Sequence, residues 1–227
     1  MIRATIIAVP AKSQRPSPVK PPENALVCIV DDEEPIRRSL SRLFRSLRVP
    51  AEMFASAESY LDRVPHDGPT CLVLDVQLPG LDGLALQHTL AERGEQIVFL
   101  SGHADVPMCA EAMKAGAVDF LTKPVDDEDL LAAVSRALAL SLAARKAAAD
   151  RTSARARLDK LTPREFEVMQ RVIAGLLNKQ IADELGAAEK TIKIHRGSVM
   201  EKMGVASVAE LVRAALAAGV EPVAAVA

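Results

Sequence analysis

At 227 residues the chain has room for one large domain or two ordinary ones. Its apolar content of 49% can fill a core, but five Phe, one Tyr and no Trp make that core mostly aliphatic. The net charge of −2 conceals a segregation along the chain, and no stretch reaches the roughly 18 uninterrupted apolar residues of a membrane span.

The first residues, MIRATIIAVPAK, are too briefly apolar and too early broken by Pro to form a signal peptide. Residues 10–24 carry five prolines without a periodic apolar pattern, so residues 1–24 are expected as a disordered, Pro-rich tail with 4 basic and 1 acidic residues. Residues 25–135 hold 9 basic and 19 acidic residues, and residues 136–157 hold 6 and 1. Residues 158–227 hold 9 of each. An acidic domain at 25–135, a basic helical linker at 136–157 and a balanced domain at 158–227 follow from that charge pattern. Cys28, Cys71 and Cys109 are odd in number, dispersed and set among apolar residues. They read as reduced, buried thiols of a cytoplasmic protein rather than a disulfide or metal framework.

From residue 26 short apolar runs alternate with helical patterns. LVCIV (26–30), AEMFA (51–55), CLVLD (71–75), IVFLS (97–101) and VDFLT (118–122) are the strand candidates. Helical patterns lie near 34–48, 57–64, 82–93 and 105–115, and a fifth starts near 126. The runs are nearly all apolar, as expected of parallel strands covered on both faces, and five βα units imply a doubly wound α/β domain. In the last helical segment Leu131, Val134, Leu138 and Leu142 share one face before the stripe fades into Ala and Arg. That continuation is either a solvated linker helix or one that reaches a partner or signals between domains. After Lys160 four segments are helical in pattern and none suggests a strand.

Ligands of open parallel sheets collect beyond the carboxyl ends of the strands. Asp31 and Asp32 follow the first run, Asp75 ends the third, Ser101 ends the fourth and Lys123 follows the fifth. Converging carboxylates repel and raise one another's pKa unless a cation intervenes, and a hard ion such as Mg²⁺ suits oxygen ligands. Lys123 and the Ser101 hydroxyl add a cation and a donor for phosphoryl oxygens, which makes Asp75 a candidate nucleophile. Each residue alone has an ordinary reading as a helix cap or turn; their joint order is the specific signal.

The segments CIVDDEEP, VLDVQLPGLDG, FLSGHADV and AGAVDFLTKP resemble the receiver domain of two-component response regulators. The resemblance implies a five-stranded parallel sheet in the order 2-1-3-4-5, with Asp75 as phospho-acceptor and a sensor histidine kinase as partner. Asp31, Asp32, Asp75 and the backbone carbonyl of Gln77 match the Mg²⁺ site, with Asp32 the direct ligand of the first pair. Lys123 matches the phosphate-pairing lysine, Pro124 its cis-peptide neighbour, and Ser101 and Phe120 the switch pair. Gln77 and His103 either tune dephosphorylation or are surface polar residues of no consequence. A phosphatase of the dehalogenase type would need a second acid two residues after its nucleophile, where Gln77 stands; a module that no longer takes phosphate would not keep the full residue set.

In the C-terminal region Thr162, Pro163 and Glu165 form an N-cap, a first-turn Pro and a capping box. Gly175, Gly186 and Gly204 close successive helices, giving a helix-turn-helix pattern. Ile192, Val199 and Met203 form the core stripe of a helix whose N-terminal half is basic, as a helix entering a major groove requires. TPRE, NKQIA, KTIKIHR and MEKMG resemble the LuxR-type helix-turn-helix, so the whole chain is similar to the FixJ/NarL regulators and nearest the FixJ branch. That resemblance implies Lys190, Thr191, Lys193, His195 and Arg196 as DNA contacts, promoter DNA and RNA polymerase as partners, and a homodimer formed on phosphorylation through the final helix. It implies an activator of transcription and not an enzyme. Glu165 and Glu167 serve either the fold or a polymerase contact.

Overall fold

A computed structural model of the chain describes residues 21–102 and 105–223. Residues 1–20 of the expected tail, and His103, lie outside them. The chain divides into two compact units, Met1–Ala144 and Arg145–Ala227.

The first unit is built on parallel strands β1 (Leu26–Val30), β2 (Ala51–Phe54), β3 (Thr70–Asp75), β4 (Gln96–Ser101) and β5 (Asp119–Thr122). They form one sheet in the order β2-β1-β3-β4-β5. Between them run helices α1 (Glu34–Ser46), α2 (Ala57–Leu61), α3 (Gly83–Leu90) and α4 (Val106–Lys114), and α5 (Asp127–Leu158) follows β5. Every residue of β1 is buried, and so are the last five of β3 and β4. Successive residues feed opposite layers: Val27 and Ile29 pack with Phe44 of α1 and Leu130 of α5. Cys28 and Val30 pack instead with Tyr60 of α2 and Leu86 of α3. A strand with two buried faces shows no polar alternation, which is why these runs read as continuously apolar.

Helix α5 corrects one expectation. Its buried positions in the first unit are Leu130, Ala133, Val134, Ala137, Leu138 and Ser141, whereas Leu131 is half-buried and Leu142 exposed. The small residues Ala133, Ala137 and Ser141 let the helix lie close to the sheet, so its stripe begins one residue before the leucine pattern indicated. The Ser141 hydroxyl accepts from the Thr70 N–H at 3.0 Å, tying the helix to the start of β3. Residues 142–153 are exposed without interruption.

Beneath the sheet a polar knot fastens α2 to the start of β4. The Tyr60 ring lies 4.3 Å below the Arg63 guanidinium and edge-on to Phe54. Its hydroxyl and Arg63 both bind Glu95, whose carboxyl burial pushes up to about 7. Cys28 and Cys71 are buried thiols, and burial pushes Cys28 up to about 12; Cys109 is only half-buried.

The second unit holds α6 (Pro163–Ile173), α7 (Asn178–Leu185), α8 (Glu189–Met203) and α9 (Val208–Ala217) around Val168, Met169, Ile181, Ile192, Val199 and Leu211. Gly186 closes α7 in the left-handed region (φ 61°), a conformation that only Gly adopts without a Cβ penalty. The capping box at the start of α6 is formed: Glu165 Oε2 accepts from the Thr162 N–H at 2.8 Å, and the Thr162 hydroxyl accepts from the Glu165 N–H. Glu165 does more than cap. Buried against α8, its carboxylate accepts from the Ser198 hydroxyl at 2.6 Å and from Lys202 Nζ at 2.7 and 2.9 Å. The alternative left open by the sequence is thereby decided for Glu165, which is enclosed by the fold. At the far end of α8, Arg157 Nη1 donates to the Met203 carbonyl at 2.9 Å, a cation on the negative end of the helix.

Lys202, then the Ser198 hydroxyl and the Thr162 N–H, hold the Glu165 carboxyl down at about 2, against an ordinary 4.5. A lowered acid stabilises the fold fully above its unfolded value and loses that contribution as pH falls through its folded value. The melting temperature of the helical unit, followed by circular dichroism of the full chain, is therefore expected to fall between pH 4.5 and 2. Glu165→Gln is expected to be less stable at pH 7 by about 1–3 kcal/mol and to lack that part of the acid dependence.

Candidate functional site

The sheet register brings the chemistry together. Val30 pairs with Leu74, so Asp31 and Asp75 leave neighbouring strands at the same level. Asp75 pairs with Leu100 and Ser101 with Thr122, which puts Ser101 and Lys123 on the next level. Lys123 is drawn in by its own backbone, whose N–H donates to the Ser101 carbonyl at 2.8 Å, and the Lys123–Pro124 bond is cis.

Lys123 Nζ lies 2.7 Å from Asp31 Oδ2 and 2.6 Å from Asp75 Oδ2, and 3.7 Å from the exposed Glu33 carboxylate. The remaining carboxylate oxygens are held by the backbone: Asp31 Oδ1 accepts from the Glu33 N–H at 2.8 Å and Asp75 Oδ1 from the Gln77 N–H at 3.0 Å. Burial pushes the Asp31 carboxyl up, against the pull of Lys123 and the Glu33 N–H, and the Asp75 charge adds to the rise. For Lys123 burial works against the charged form, yet the hydrogen bonds to Asp31 and Asp75 hold its pKa above the usual lysine value.

Asp31, Asp32 and Asp75 offer one oxygen each, all within 4.8 Å of one another, with Asp32 the exposed member. Three carboxylates against one ammonium leave a deficit of positive charge at a solvent-facing, all-oxygen cluster. That donor set fits a hard divalent cation. A cleft of about 460 Å³ opens beside Asp32, lined by Gln77, Pro79, Asp82 and Met108.

Gly83 closes the loop after β3. Its N–H donates to the Val76 carbonyl at 2.9 Å, and a Cβ there would lie 2.4 Å from the Asp75 carbonyl oxygen. Ser101 is fully buried, and Phe120 is half-buried with its ring 5.9 Å from Phe99.

On α8 the buried Ile192, Val199 and Met203 leave an opposite face of Lys190, Lys193, Ile194 and Gly197. Thr191 is also exposed, while His195 and Arg196 are half-buried on the flanks. Arg196 Nη1 donates to Asn178 Oδ1 at 3.0 Å, so this side chain ties α8 to α7. Two residues escaped the sequence reading. Ile194, 64% exposed on the basic face, carries no charge, and only its place two residues after a core position marks it. Arg37 reaches the Asp31 backbone, and nothing in its spacing announces that.

Comparison with known proteins agrees with this geometry. Residues 27–135 match the response regulator receiver domain, and residues 159–215 match the luxR family of bacterial regulatory proteins. The chain is 44% identical to the response regulator protein TmoT of Ectopseudomonas mendocina over 84% of this chain and 88% of that protein. It is 42% identical to the transcriptional regulatory protein FixJ of Rhizobium meliloti, over 86% and 97%. Among solved structures, the response regulator StyR superposes with a TM-score of 0.75 at 40% identity, covering 85% of this chain and 98% of that one. Full-length FixJ from B. japonicum gives 0.51 at 40% identity, over 86% and 97%. Such proteins regulate transcription and are not enzymes, and their two domains imply a sensor kinase and DNA as partners. The chain belongs to the FixJ-type response regulators, transcriptional regulators of two-component systems in which a receiver is joined to a LuxR-type DNA-binding domain.

Proposed function

We propose that a cognate histidine kinase phosphorylates Asp75 in the receiver (25–135), and that this switches a cytoplasmic transcriptional activator into its DNA-binding form. An Asp75 carboxylate oxygen attacks the phosphorus of the kinase phosphohistidine; the P–N bond breaks and the imidazole leaves with a proton. The observation that carries the reading is Lys123 Nζ at 2.6 Å from Asp75 Oδ2, a fixed cation beside the attacking group. Asp31, Asp32, Asp75 and the Gln77 carbonyl are the residues that would hold Mg²⁺, which supplies neutralisation of charge on the transferring phosphoryl group. The buried Ser101 hydroxyl then turns toward the phosphoryl oxygens and Phe120 moves into the space vacated, biasing a two-state equilibrium. The linker (136–157) and the DNA-binding domain (158–227) carry the output: a homodimer on promoter DNA that engages RNA polymerase.

On α8, Lys190, Thr191, Lys193, His195 and Arg196 face the DNA, with Lys190 and Lys193 suited to phosphates or base edges. Ile194 adds an apolar contact of the kind that reads a thymine methyl. Arg196 also donates to Asn178, which holds α7 and α8 in register.

Acetyl phosphate with Mg²⁺ is expected to label the full-length protein, and Asp75→Ala is expected to take no label; equal labelling of the two would refute the reading. Gly83→Ala forces its Cβ against the Asp75 backbone, and overpacking of this kind costs about 1–3 kcal/mol. It is expected to lower both the melting temperature and the labelling rate, while Gly197→Ala on α8, with open space beside it, leaves the rate unchanged. Lys193→Ala is expected to weaken DNA binding on specific and random duplexes alike, and to lower the slope of log affinity against log salt by about 1.

A further inference from the structure

Asp31 is held at every polar atom. Its N–H donates to the Phe54 carbonyl of β2 at 3.3 Å, its Oδ1 accepts from Glu33 and its Oδ2 from Lys123. The main-chain carbonyl is the exception to this local supply: β1 pairs with its neighbours only as far as Val30, so the ladder offers it no donor. The donor comes from the second turn of α1, where Arg37 Nη1 lies 2.5 Å from Asp31 O. Arg37 is half-buried, turned inward over the site. Its neighbour Arg38 instead makes an exposed pair with Glu34, at 2.6 Å, on the outer face of the same helix.

That carbonyl belongs to the peptide plane joining Asp31 to Asp32. Turning the plane swings the Asp32 Cα and its carboxylate, the exposed member of the cluster, while Asp31 stays anchored through its side chain. We propose that Arg37 is a positioning residue: by fixing the 31–32 peptide it seats Asp32 for the divalent cation. The inference rests on the metal-dependent phosphorylation proposed above.

The two physical effects of Arg37 oppose each other, and the sign of the result separates them. As a nearby positive charge it weakens the binding of any cation, so removing it would tighten binding. As the holder of the 31–32 peptide it strengthens binding, and loss of such an outer partner typically weakens metal affinity by about 10–100-fold. Positioning predicts weakening; charge alone predicts the reverse.

Mn²⁺ is titrated into the full-length protein, with free Mn²⁺ followed by electron paramagnetic resonance, for the wild type, Arg37→Met, Arg37→Lys and Asp32→Ala. Melting curves without metal check that each variant is folded. Arg37→Met is expected to bind Mn²⁺ about 10–100-fold more weakly. Its labelling by acetyl phosphate is expected to slow at low metal and to recover at saturating metal. Arg37→Lys, with a single-point donor that can still approach the carbonyl, is expected to fall between. Binding by a folded Arg37→Met equal to the wild type, or tighter, overturns the role of Arg37 while leaving the metal site standing. Should Arg37→Met not fold, Arg37→Lys decides, and wild-type affinity there overturns the role. Wild type without Mn²⁺ affinity, or Asp32→Ala with undiminished affinity, removes the metal-site reading and the inference with it.

Discussion

The contact on which the receiver depends is the ammonium of Lys123 set between the carboxylates of Asp31 and Asp75. Two largely buried carboxylates on adjacent strands would repel each other across a low-dielectric gap. One half-buried ammonium, 2.6 and 2.7 Å away, offsets that repulsion. The geometry is not local: Lys123 is 48 residues from Asp75 and 92 from Asp31, so the contact exists only when β1, β3 and β5 are in register. Fold and reactive site are therefore specified by the same pairing. The compensation is also incomplete, since Asp32 and Glu33 add further negative charge at the rim, and that residual imbalance makes the site responsive to a cation or a phosphoryl group.

The helical unit uses a buried carboxylate for the opposite end. Glu165 meets donors on every side, from the backbone at Thr162, a hydroxyl at Ser198 and the ammonium of Lys202. Nothing is left over for a ligand. A saturated charge of this kind rigidifies what it touches, here the start of α6 and the last two turns of α8. With Arg157 on the Met203 carbonyl, the C-terminal half of α8 is fixed to the core while its N-terminal half stays open to solvent. One carboxylate is kept reactive and the other is kept inert, and the difference lies in how many donors the fold supplies.

Much of this was legible in the residues. Strands covered on both faces must be apolar throughout, and a carboxylate at the end of such a run is costly enough to signal use, so β1, β3, β4 and Asp75 stood out. The helix-turn-helix announced itself through its glycines and its capping box. The misses share a cause, in that they rest on contacts rather than on residue type. The stripe of α5 was misplaced because Ala133, Ala137 and Ser141 carry its closest approach to the sheet, and small residues add little to a periodicity of leucines. Arg37 resembles any arginine on a helix until its reach to the Asp31 carbonyl is known. Ile194 was hidden among lysines because a search for charge passes over an exposed aliphatic side chain. The hydrogen bond that Arg196 also makes to Asn178 was likewise unforeseen, since no pattern indicates a partner 18 residues away.

The polar knot under the sheet gives the molecule an optical property. Tyr60 is its single tyrosine, and there is no tryptophan. The ring is buried below the Arg63 guanidinium, with its hydroxyl on Glu95. Tyrosine fluorescence of the whole chain therefore originates in one place, inside the receiver between α2 and β4. The helical unit is silent in the same window. A single unlabelled chain thus reports one corner of its receiver by tyrosine emission, whereas circular dichroism follows the helices of both units together.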